Sequence, residues 1–269
     1  MKLSEAVKLL AEGGIEDARR EARELFMAFG GYSAVSLLGA DPDCLDEKLI
    51  EAVYERRDRR PLQYIIGKVG FYREEYRVNE NCLIPRADTE VLVDYAVRNI
   101  PPCERFLDLC TGSGCVGIST LANTDRTSAV LVDLSVGALK LARENAEANG
   151  VFSRAEFLNA DVLSGAVEGE YFALLSNPPY VRDDVYERLE KEIYHEPKMA
   201  FVGGLDGADF YRTLVPMYKE MIKDGGFMAF EIGFDQAQIL RDIAKENNMS
   251  AEILKDTSGV DRVAVLRKG

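Results

Sequence analysis

The chain has 269 residues, of which 47% are hydrophobic and 29% charged, and its formal net charge is −13. The apolar fraction excludes disordered and collagen-like classes, and the length suffices for one large domain plus a small one. Residues 1–60 and 61–269 are each acidic, with net charges of −3 and −10, which disfavours nucleic-acid binding through bulk electrostatics. The sequence has no run approaching the roughly 18 apolar residues of a membrane span.

The single histidine and the five cysteines limit the chemistry. His195 alone cannot build a His-rich metal site and is the one candidate base for a Ser-His-Asp triad. The cysteines are odd in number and include no CxxC pair, which indicates reduced thiols. Glu5 and Lys8 interrupt the apolar start of the chain, so we expect no secretory leader. We therefore predict a cytoplasmic protein without a metal and without a membrane span.

The first sixty residues predict a small all-α domain (1–60). Apolar residues recur at helical spacing over 3–10 and 15–29, and glycine pairs separate these runs. Asp43 is a candidate cap for a third helix. That helix would end in an arginine cluster, which fits either a helix carboxyl terminus or contact with an anionic partner. The cluster consists of Arg56, Arg57, Arg59 and Arg60.

Residues 61–85 predict strands or a β-hairpin that links two domains, since Tyr, Ile, Val and Phe alternate there with turn residues. A helix should follow from Arg86 to about Asn99.

The remaining chain, 86–269, predicts an α/β domain. Strand-like and helix-like runs alternate, which favours a doubly wound, mainly parallel sheet with helices on both faces. The last two strands are joined by the short loop TSGVD, so they should form an antiparallel pair. The seven expected strands lie at 105–110, 128–133, 155–160, 171–176, 226–233, 251–256 and 262–268.

The segment LDLCTGSGCVG (107–117) follows the first of these strands. Gly112 and Gly114 allow the backbone to pass close to a ligand before a helix begins, and the spacing fits the fingerprint GxGxxG. Asp133 ends the next strand, where it could hold ribose hydroxyls. This pattern supports NAD or S-adenosylmethionine equally, and a tight turn without a ligand would also explain it. Asp161 ends the third strand and could accept from an adenine amino group or cap a turn.

A second segment, Ser176-Asn177-Pro178-Pro179-Tyr180, follows the fourth strand and so lies at the same sheet edge. The two prolines stiffen the loop and remove two backbone donors. The Asn177 side-chain oxygen and the Pro178 carbonyl remain as acceptors for a planar NH₂ group, whose flat face Tyr180 can cover. A proline-rich surface turn is the simpler alternative, but the position after a strand favours a binding site.

Such a corner beside a nucleotide loop indicates methyl transfer to an amide or exocyclic nitrogen. The lone pair of this nitrogen is delocalised, so alignment must supply much of the rate. Acceptors for both N–H bonds also stabilise the positive charge that grows on the nitrogen. A basic side chain is not required, since the methylated nitrogen loses its proton readily.

With these motifs the chain resembles the glutamine N5-methyltransferases that modify peptide chain release factors, the PrmC/HemK family. NPPY alone also occurs in adenine and guanine methyltransferases of nucleic acids, whereas PLQYIIG followed by IPRADTE is much narrower. The likeness covers nearly the whole chain and includes PLQYIIG (61–67), LIPRADTEVLVD (83–94), LDLCTGSG (107–114) and SNPPYV (176–181).

The resemblance implies a class I methyltransferase fold, Rossmann-like, with S-adenosyl-L-methionine as cofactor. The substrate would be the GGQ-loop glutamine of class 1 release factors, and the helical domain would contact the release factor outside that loop. No direct contact with nucleic acid is expected. The implied cofactor-binding residues are Cys110, Thr111, Gly112, Ser113, Gly114, Asp133, Asp161, Val162 and Asn177. The implied substrate-binding residues are Asn177, Pro178, Pro179 and Tyr180, of which Asn177, Pro178 and Tyr180 are the catalytic candidates.

Two positions depart from the family pattern. Cys110 stands where the family usually has glycine, which is tolerable if its φ is negative. The run 171–174 has no acidic residue where the family often has one, so a role for a carboxylate at that place is in doubt.

Three further residues have open roles. Arg86 could pair with the methionine carboxylate of the cofactor or with Glu90 one helical turn away. Glu231, at the end of the fifth predicted strand, could be catalytic or could orient other groups. His195 is expected to be exposed or packed.

Three other functions fit parts of the sequence. A nucleic-acid adenine or guanine N-methyltransferase would use the same NPPY corner, but the net charge of −13 disfavours it. A nicotinamide-dependent oxidoreductase would explain GxGxxG and leave NPPY without a role. A non-enzymatic binder of a translation factor would not need an intact glycine loop, Asp133 and NPPY.

Overall fold

The computed structural model describes residues 1–268, which form two compact units. One unit comprises Met1–Lys68 together with Glu190–His195, and the other begins with Val69–Leu189 and resumes at Glu196. The boundary at residue 68 lies inside the segment 61–85 that the sequence predicts as a linker.

Helices dominate the amino-terminal unit. Leu10, Leu25 and Phe26 are fully buried in its core, as the helical spacing of apolar residues predicts. The helices are α1 (Leu3–Glu12), α2 (Ala18–Phe29), α3 (Glu47–Arg57) and α4 (Leu62–Ile66).

The cap of α3 is Asp46, not Asp43 as predicted. The Asp46 side chain accepts a hydrogen bond from the Lys48 backbone N–H at 2.8 Å. Asp43 instead accepts from the amino terminus of Met1 at 3.0 Å. Either aspartate is a good cap residue, and sequence spacing does not reveal that Asp43 is engaged by Met1 instead.

The four arginines at the end of α3 all have carboxylate partners within their own unit. Arg56 is buried, and its guanidinium donates to Glu21 at 2.5 Å and to Glu192 at 3.0 Å. The positive charges of the cluster are therefore neutralised by neighbouring carboxylates. This finding does not support a free basic patch for an anionic partner. The other pairs are Arg57–Asp58, Arg59–Glu192 and Arg60–Glu55.

The predicted linker contains both a helix and a hairpin. The prediction of a strand was wrong for Leu62–Ile66, which is helical, because a short apolar run fits either period. Gly67 ends this helix with φ of +82°, a conformation that glycine adopts without strain. A two-stranded sheet follows, formed by β1 (Lys68–Phe71) and β2 (Glu74–Arg77), and then α5 (Glu90–Asn99).

The second unit is built on a seven-stranded sheet of order β5-β4-β3-β6-β7-β9-β8. The first five strands along the chain pair in parallel, and β9 runs antiparallel to both neighbours, which confirms the predicted fold and its terminal hairpin. The strands are β3 (Arg105–Leu109), β4 (Ser128–Asp133), β5 (Ala155–Asn159), β6 (Tyr171–Ser176), β7 (Ile222–Glu231), β8 (Met249–Lys255) and β9 (Asp261–Lys268). The helices between them are α6 (Cys115–Ala122), α7 (Val136–Ala148), α8 (Asp183–Tyr186), α9 (Asp209–Tyr218) and α10 (Ala237–Glu246).

Two hydrophobic clusters cover the two faces of this sheet. Along β3, Phe106 belongs to one cluster and Leu107 to the other, as the alternation of side chains in a strand requires. Strand order reverses at β3, since the chain continues to β4 on one side and later to β6 on the other. Ligands of open α/β sheets bind at such a switch point, beyond the carboxyl ends of the strands.

In residues 1–268, no helix is long and apolar enough to cross a membrane. That same part of the chain has no group of three or more His, Cys, Asp or Glu side chains that could hold a metal ion. The five cysteines are free thiols.

Replacing Arg56 with alanine should lower the free energy of unfolding by about 3–5 kcal/mol, because the buried Glu21 then loses its short pair and keeps only Arg20, at 3.8 Å. Both residues are less than a tenth exposed, Arg56 at 6% and Glu21 at 8%. Urea denaturation measures the change. The control is Arg57→Ala, whose exposed pair with Asp58 should contribute less than about 1 kcal/mol. Equal losses in the two variants would contradict the prediction.

Candidate active site

A cavity of about 500 Å³ lies at the carboxyl edge of the sheet, next to the switch point. It brings together nine residues that the sequence and the resemblance assign to cofactor or substrate. These are Cys110, Thr111, Gly112, Ser113, Asp133, Asp161, Val162, Asn177 and Pro179. Gly114, Pro178 and Tyr180 were assigned in the same way and lie beside the cavity without being part of its lining.

The glycine-rich loop turns sharply after β3. Gly112 and Gly114 have φ of +55° and +84°, and Gly114 is the N-cap residue of α6. A Cβ on Gly114 would lie 2.5 Å from the Ile118 side chain, so the residue allows close packing as well as the turn. At Gly112 a Cβ would meet only Cys82, at 4.0 Å, so this part of the loop borders open space.

Asp108, which sequence analysis missed, holds this loop in place. It is 1% exposed, and one carboxylate oxygen accepts from the Thr111 hydroxyl at 2.5 Å and from the Gly117 backbone N–H at 2.9 Å. Its position three residues before Thr111, inside a buried strand, is the signal that could have identified it, since a buried acid must have partners.

The backbone of Cys110 does not have the negative φ that the sequence analysis required of a cysteine at this position. Its φ is +58°, in the left-handed region that favours glycine, where a negative φ was required. The residue is held there by its neighbours, because the Thr111 N–H bonds to the Val132 carbonyl at 3.0 Å and the Leu109 carbonyl accepts from Ser176 at 2.7 Å. Burial also raises the pKa of the thiol, so it is not a reactive thiolate.

Asp133 lies at the end of β4 and faces the cavity. One carboxylate oxygen accepts from the Gly112 N–H at 2.8 Å and the other from the Ser135 N–H at 2.8 Å. Burial raises the pKa of Asp133, and these hydrogen bonds oppose the rise. A carboxylate has about four acceptor positions, so Asp133 can still accept from a ribose hydroxyl.

The end of the neighbouring strand β5 leads to Asp161 and Val162. Asp161 is exposed and caps a short turn by accepting from the Leu163 N–H at 2.9 Å, while Val162 is 5% exposed. Both residues line the cavity. Ser113, also in the lining, has a buried hydroxyl that makes no normal hydrogen bond within residues 1–268, with the weakly polar Cys115 thiol beside it. A nucleoside fits these groups, because Asp161 and Ser113 can accept from its donors and Val162 can pack against the flat face of its base.

The NPPY segment is anchored at several atoms. Asn177 donates from Nδ2 to the Thr89 hydroxyl at 3.3 Å, and Tyr180 donates its hydroxyl to Glu231 Oε1 at 3.0 Å. The Tyr180 carbonyl accepts from the buried Gln236 side chain at 3.0 Å. Burial, with Glu231 nearby, raises the pKa of Tyr180 well above its ordinary value, so its phenol is neutral.

Gln236 also donates to the Gly207 carbonyl at 3.1 Å, which fixes a glycine loop against NPPY. A Cβ on Gly207 would lie 2.2 Å from the Tyr180 carbonyl oxygen. Thr89 lies far along the chain from Glu231 and Gln236, which both belong to the segment EIGFDQ at the end of β7. Of the three, only Glu231 was singled out from sequence, and the buried polar character of the others carries no local signal.

Arg86 pairs with Glu196, and neither prediction made for it describes this contact. Glu196 is 4% exposed and also accepts from the Ile84 N–H at 2.9 Å. Glu90 is occupied elsewhere, since it accepts from the Tyr72 N–H at 2.8 Å. The pair joins residues 110 positions apart, so helical spacing could not reveal it. His195 is exposed, belongs to the first unit and is not in the cavity lining.

Asp108→Asn should change how stability depends on pH. Burial raises the pKa of Asp108 from its ordinary 3.8 to about 7. Between these values the folded state holds a proton that the unfolded state has lost, so the stability contributed by this group is present below pH 4 and lost as the pH rises to 7. The free energy of unfolding of the variant should therefore gain about 4 kcal/mol relative to the original protein between pH 4 and 8.

Urea denaturation at each pH measures this difference. The control is Asp125→Asn, because the Asp125 side chain is 68% exposed. A difference between Asp108→Asn and the original protein that stays constant from pH 4 to 8 would contradict the prediction.

Comparisons with known proteins agree with this architecture. The family model described as PrmC N-terminal domain matches residues 2–67, and the one described as Methyltransferase small domain matches residues 87–200. Among solved structures, the ribosomal protein L11 methylase of Lactobacillus delbrueckii subsp. bulgaricus has a TM-score of 0.53 at 19% identity, covering 72% of this chain and 85% of that one. This likeness shows the fold.

Curated relatives show the family. A release factor glutamine methyltransferase of Moorella thermoacetica is 35% identical over 97% of this chain and 95% of its own length. Another, of Geobacter sulfurreducens, is 35% identical over 97% of this chain and 93% of its own. The chain belongs to the release factor glutamine methyltransferase family.

Proposed function

We propose that this protein transfers a methyl group from S-adenosyl-L-methionine to the amide N5 of the GGQ-loop glutamine of class 1 peptide chain release factors, in the cytoplasm. The observation that carries the proposal is the setting of Asn177. Its amide lines the cavity, and Nδ2 is occupied by Thr89, so that Oδ1 remains as an acceptor. The names of the relatives support the substrate class, and five free cysteines agree with a reducing compartment.

The groups around the glycine-rich loop suit S-adenosyl-L-methionine. Asp133 would accept from the ribose hydroxyls, Val162 would pack against the adenine, and Asp161 would accept from its amino group. Gly112 would let the backbone approach the cofactor. When bound, the cofactor supplies an electrophilic methyl group on a positively charged sulfur.

The NPPY corner would bind and orient the glutamine side chain. Asn177 Oδ1 and the Pro178 carbonyl would accept the two amide hydrogens, which fixes the plane of the amide. Such a geometry lets the nitrogen approach along one direction and stabilises the positive charge that develops on it. The Tyr180 phenol, held on Glu231, would close one side of this corner.

Proton removal does not call for a base at the nitrogen. An amide nitrogen that has gained a methyl group is very acidic, so water can take its proton. Arg86 in the cavity lining is already paired with Glu196, and the neutral Tyr180 does not accept a proton. Binding and alignment are therefore the tasks of these side chains.

The helical unit would bind the release factor outside its GGQ loop. Residues 2–67 match a domain model found with this family, and the unit has its own buried core. A protein partner agrees with the net charge of −13 and with the ion-paired arginines, since neither favours a phosphate backbone.

Incubation with methyl-labelled S-adenosyl-L-methionine tests the proposal directly. We expect label on a class 1 release factor and none on the same factor with its GGQ glutamine changed to alanine. Label on neither protein, with cofactor binding intact, would overturn the proposed substrate. Label on DNA or RNA would instead support an adenine or guanine N-methyltransferase.

Asn177→Ala should lower kcat by about 10²-fold or more, the usual loss when a positioned polar group near the reacting atoms is removed. Stability should change little, because Asn177 is only partly buried. Single-turnover kinetics and a thermal melt measure the two effects. Asn99→Ala is the control, since Asn99 donates to a helix carbonyl of Tyr95 outside the cavity lining. Normal turnover of Asn177→Ala would exclude the role given to it.

A further inference from the structure

Glu231 is a buried acid that the proposed reaction does not use. It ends β7, is 2% exposed and does not belong to the cavity lining. Oε1 accepts from the Tyr180 hydroxyl at 3.0 Å. Oε2 is fully buried, and the described residues offer it no hydrogen bond of normal geometry. Leaving a buried carboxylate oxygen without a donor costs free energy, so we expect a neighbouring side chain to supply one.

Thr89 is the neighbour that connects Glu231 to the cavity. It is 1% exposed, and its hydroxyl lies near enough to the carboxylate to lower the pKa of Glu231. The same hydroxyl oxygen accepts from Asn177 Nδ2 at 3.3 Å. Glu231, Thr89 and Asn177 thus form a row that leads from the buried acid to the cavity.

We propose that Glu231 is a positioning residue: ionised, it takes the hydroxyl hydrogen of Thr89 and thereby fixes the Asn177 amide with Oδ1 toward the substrate. This inference rests on the proposed function, in which Oδ1 binds the glutamine amide. Glu231 does not touch the substrate and acts through Thr89.

The direction of the hydrogen bonds follows from the donor count. A carboxylate only accepts, and a threonine hydroxyl has one hydrogen to give. When that hydrogen goes to Glu231, the Thr89 oxygen can only accept, so Asn177 must present its NH₂ group. When Glu231 is protonated, it can donate to Thr89, and Thr89 can then donate to Asn177 Oδ1. The Asn177 amide can then rotate by about 180° and turn its NH₂ group toward the substrate. The NH₂ group of the substrate glutamine then faces donors and finds no acceptor.

The charge state of Glu231 depends on several elements. Burial raises the pKa of Glu231, while hydrogen bonds from Thr89 and Tyr180 and the charge of Arg262 lower it. Arg262 on β9 is itself shared by Asp88 and Asp256, each at 3.1 Å. The titratable or charged groups that face the carboxyl are Asp88, Cys115, Tyr180, Tyr211 and Arg262.

The inference predicts an acid limit to activity. As the pH falls through the raised pKa of Glu231, the carboxylate gains a proton and the orientation of Asn177 is lost. Methylation should therefore decline toward low pH in the original protein, and this limb should be absent in Glu231→Gln, whose activity is uniformly low.

Kinetics with a release factor test the row of contacts. Glu231→Gln and the isosteric Thr89→Val should each lower kcat/KM about tenfold, as expected when one hydrogen bond no longer favours the correct orientation. The double variant should lose little more than either single one, because both act on the same contact. Thr89→Ser keeps the hydroxyl and should retain nearly full activity. Tyr171→Phe, which removes a hydroxyl bonded to the Glu168 carbonyl, is the matched control.

Nuclear magnetic resonance of the Asn177 side-chain amide provides a readout without activity. Its NH₂ signals, assigned by their loss in Asn177→Asp, should shift with pH in the original protein and stay constant in Glu231→Gln and Thr89→Val. If a release factor is not methylated but these signals titrate as described, the proposed substrate is wrong and the positioning role stands. If methylation occurs and neither kcat/KM nor the amide signals respond to the variants, the positioning role is wrong.

Discussion

Strands β3 and β6 pair in parallel with Leu109 opposite Ser176, and the two loops that border the cavity begin at this point. The Ser176 hydroxyl donates to the Leu109 carbonyl at 2.7 Å, which joins the two strand ends at the position where regular sheet pairing stops. The glycine-rich loop must therefore leave the sheet beside Asn177. A cavity that borders both loops follows from this register, because a shift of one residue would turn every side chain to the other face.

Several of the loops around the cavity are tied to buried or half-buried carboxylates. Asp108 holds the glycine-rich loop, Asp133 holds its next turn, Glu196 holds the segment before α5, and Glu231 holds NPPY. Burial raises the pKa of all four carboxyl groups, because the folded protein disfavours their charged forms. Loops without regular strand pairing need such strong acceptors to hold one conformation. The folded protein loses some stability by burying these carboxylates, and in return the loops are ordered.

Local pattern was sufficient for the strands, the terminal hairpin and the placement of Gly112, Asp133 and Asn177 at one edge, because each depends on a run of neighbouring residues. The partner of Arg86 depends on a contact across 110 positions, and the positive φ of Cys110 depends on the strands on either side of it. Asp46 caps α3, whereas Asp43 bonds to Met1, 42 positions away. Sequence spacing contains no information on contacts of this kind.

The acceptor corner proposed at Asn177 would not by itself distinguish a glutamine amide from the amino group of a nucleobase, since each presents a flat NH₂ group with a delocalised lone pair. It would exclude a carboxylate, which would place negative charge against the oxygen of Asn177. Discrimination between protein and nucleic acid must then come from the surface outside the corner. Bare nucleic acid requires unpaired cations. The densest group of cations, at Arg56 to Arg60, is bound to Glu21, Glu55, Asp58 and Glu192. A polypeptide has no phosphate groups and does not need unpaired cations for binding. The net charge of −13 and the paired arginines therefore favour a protein substrate over a nucleic acid.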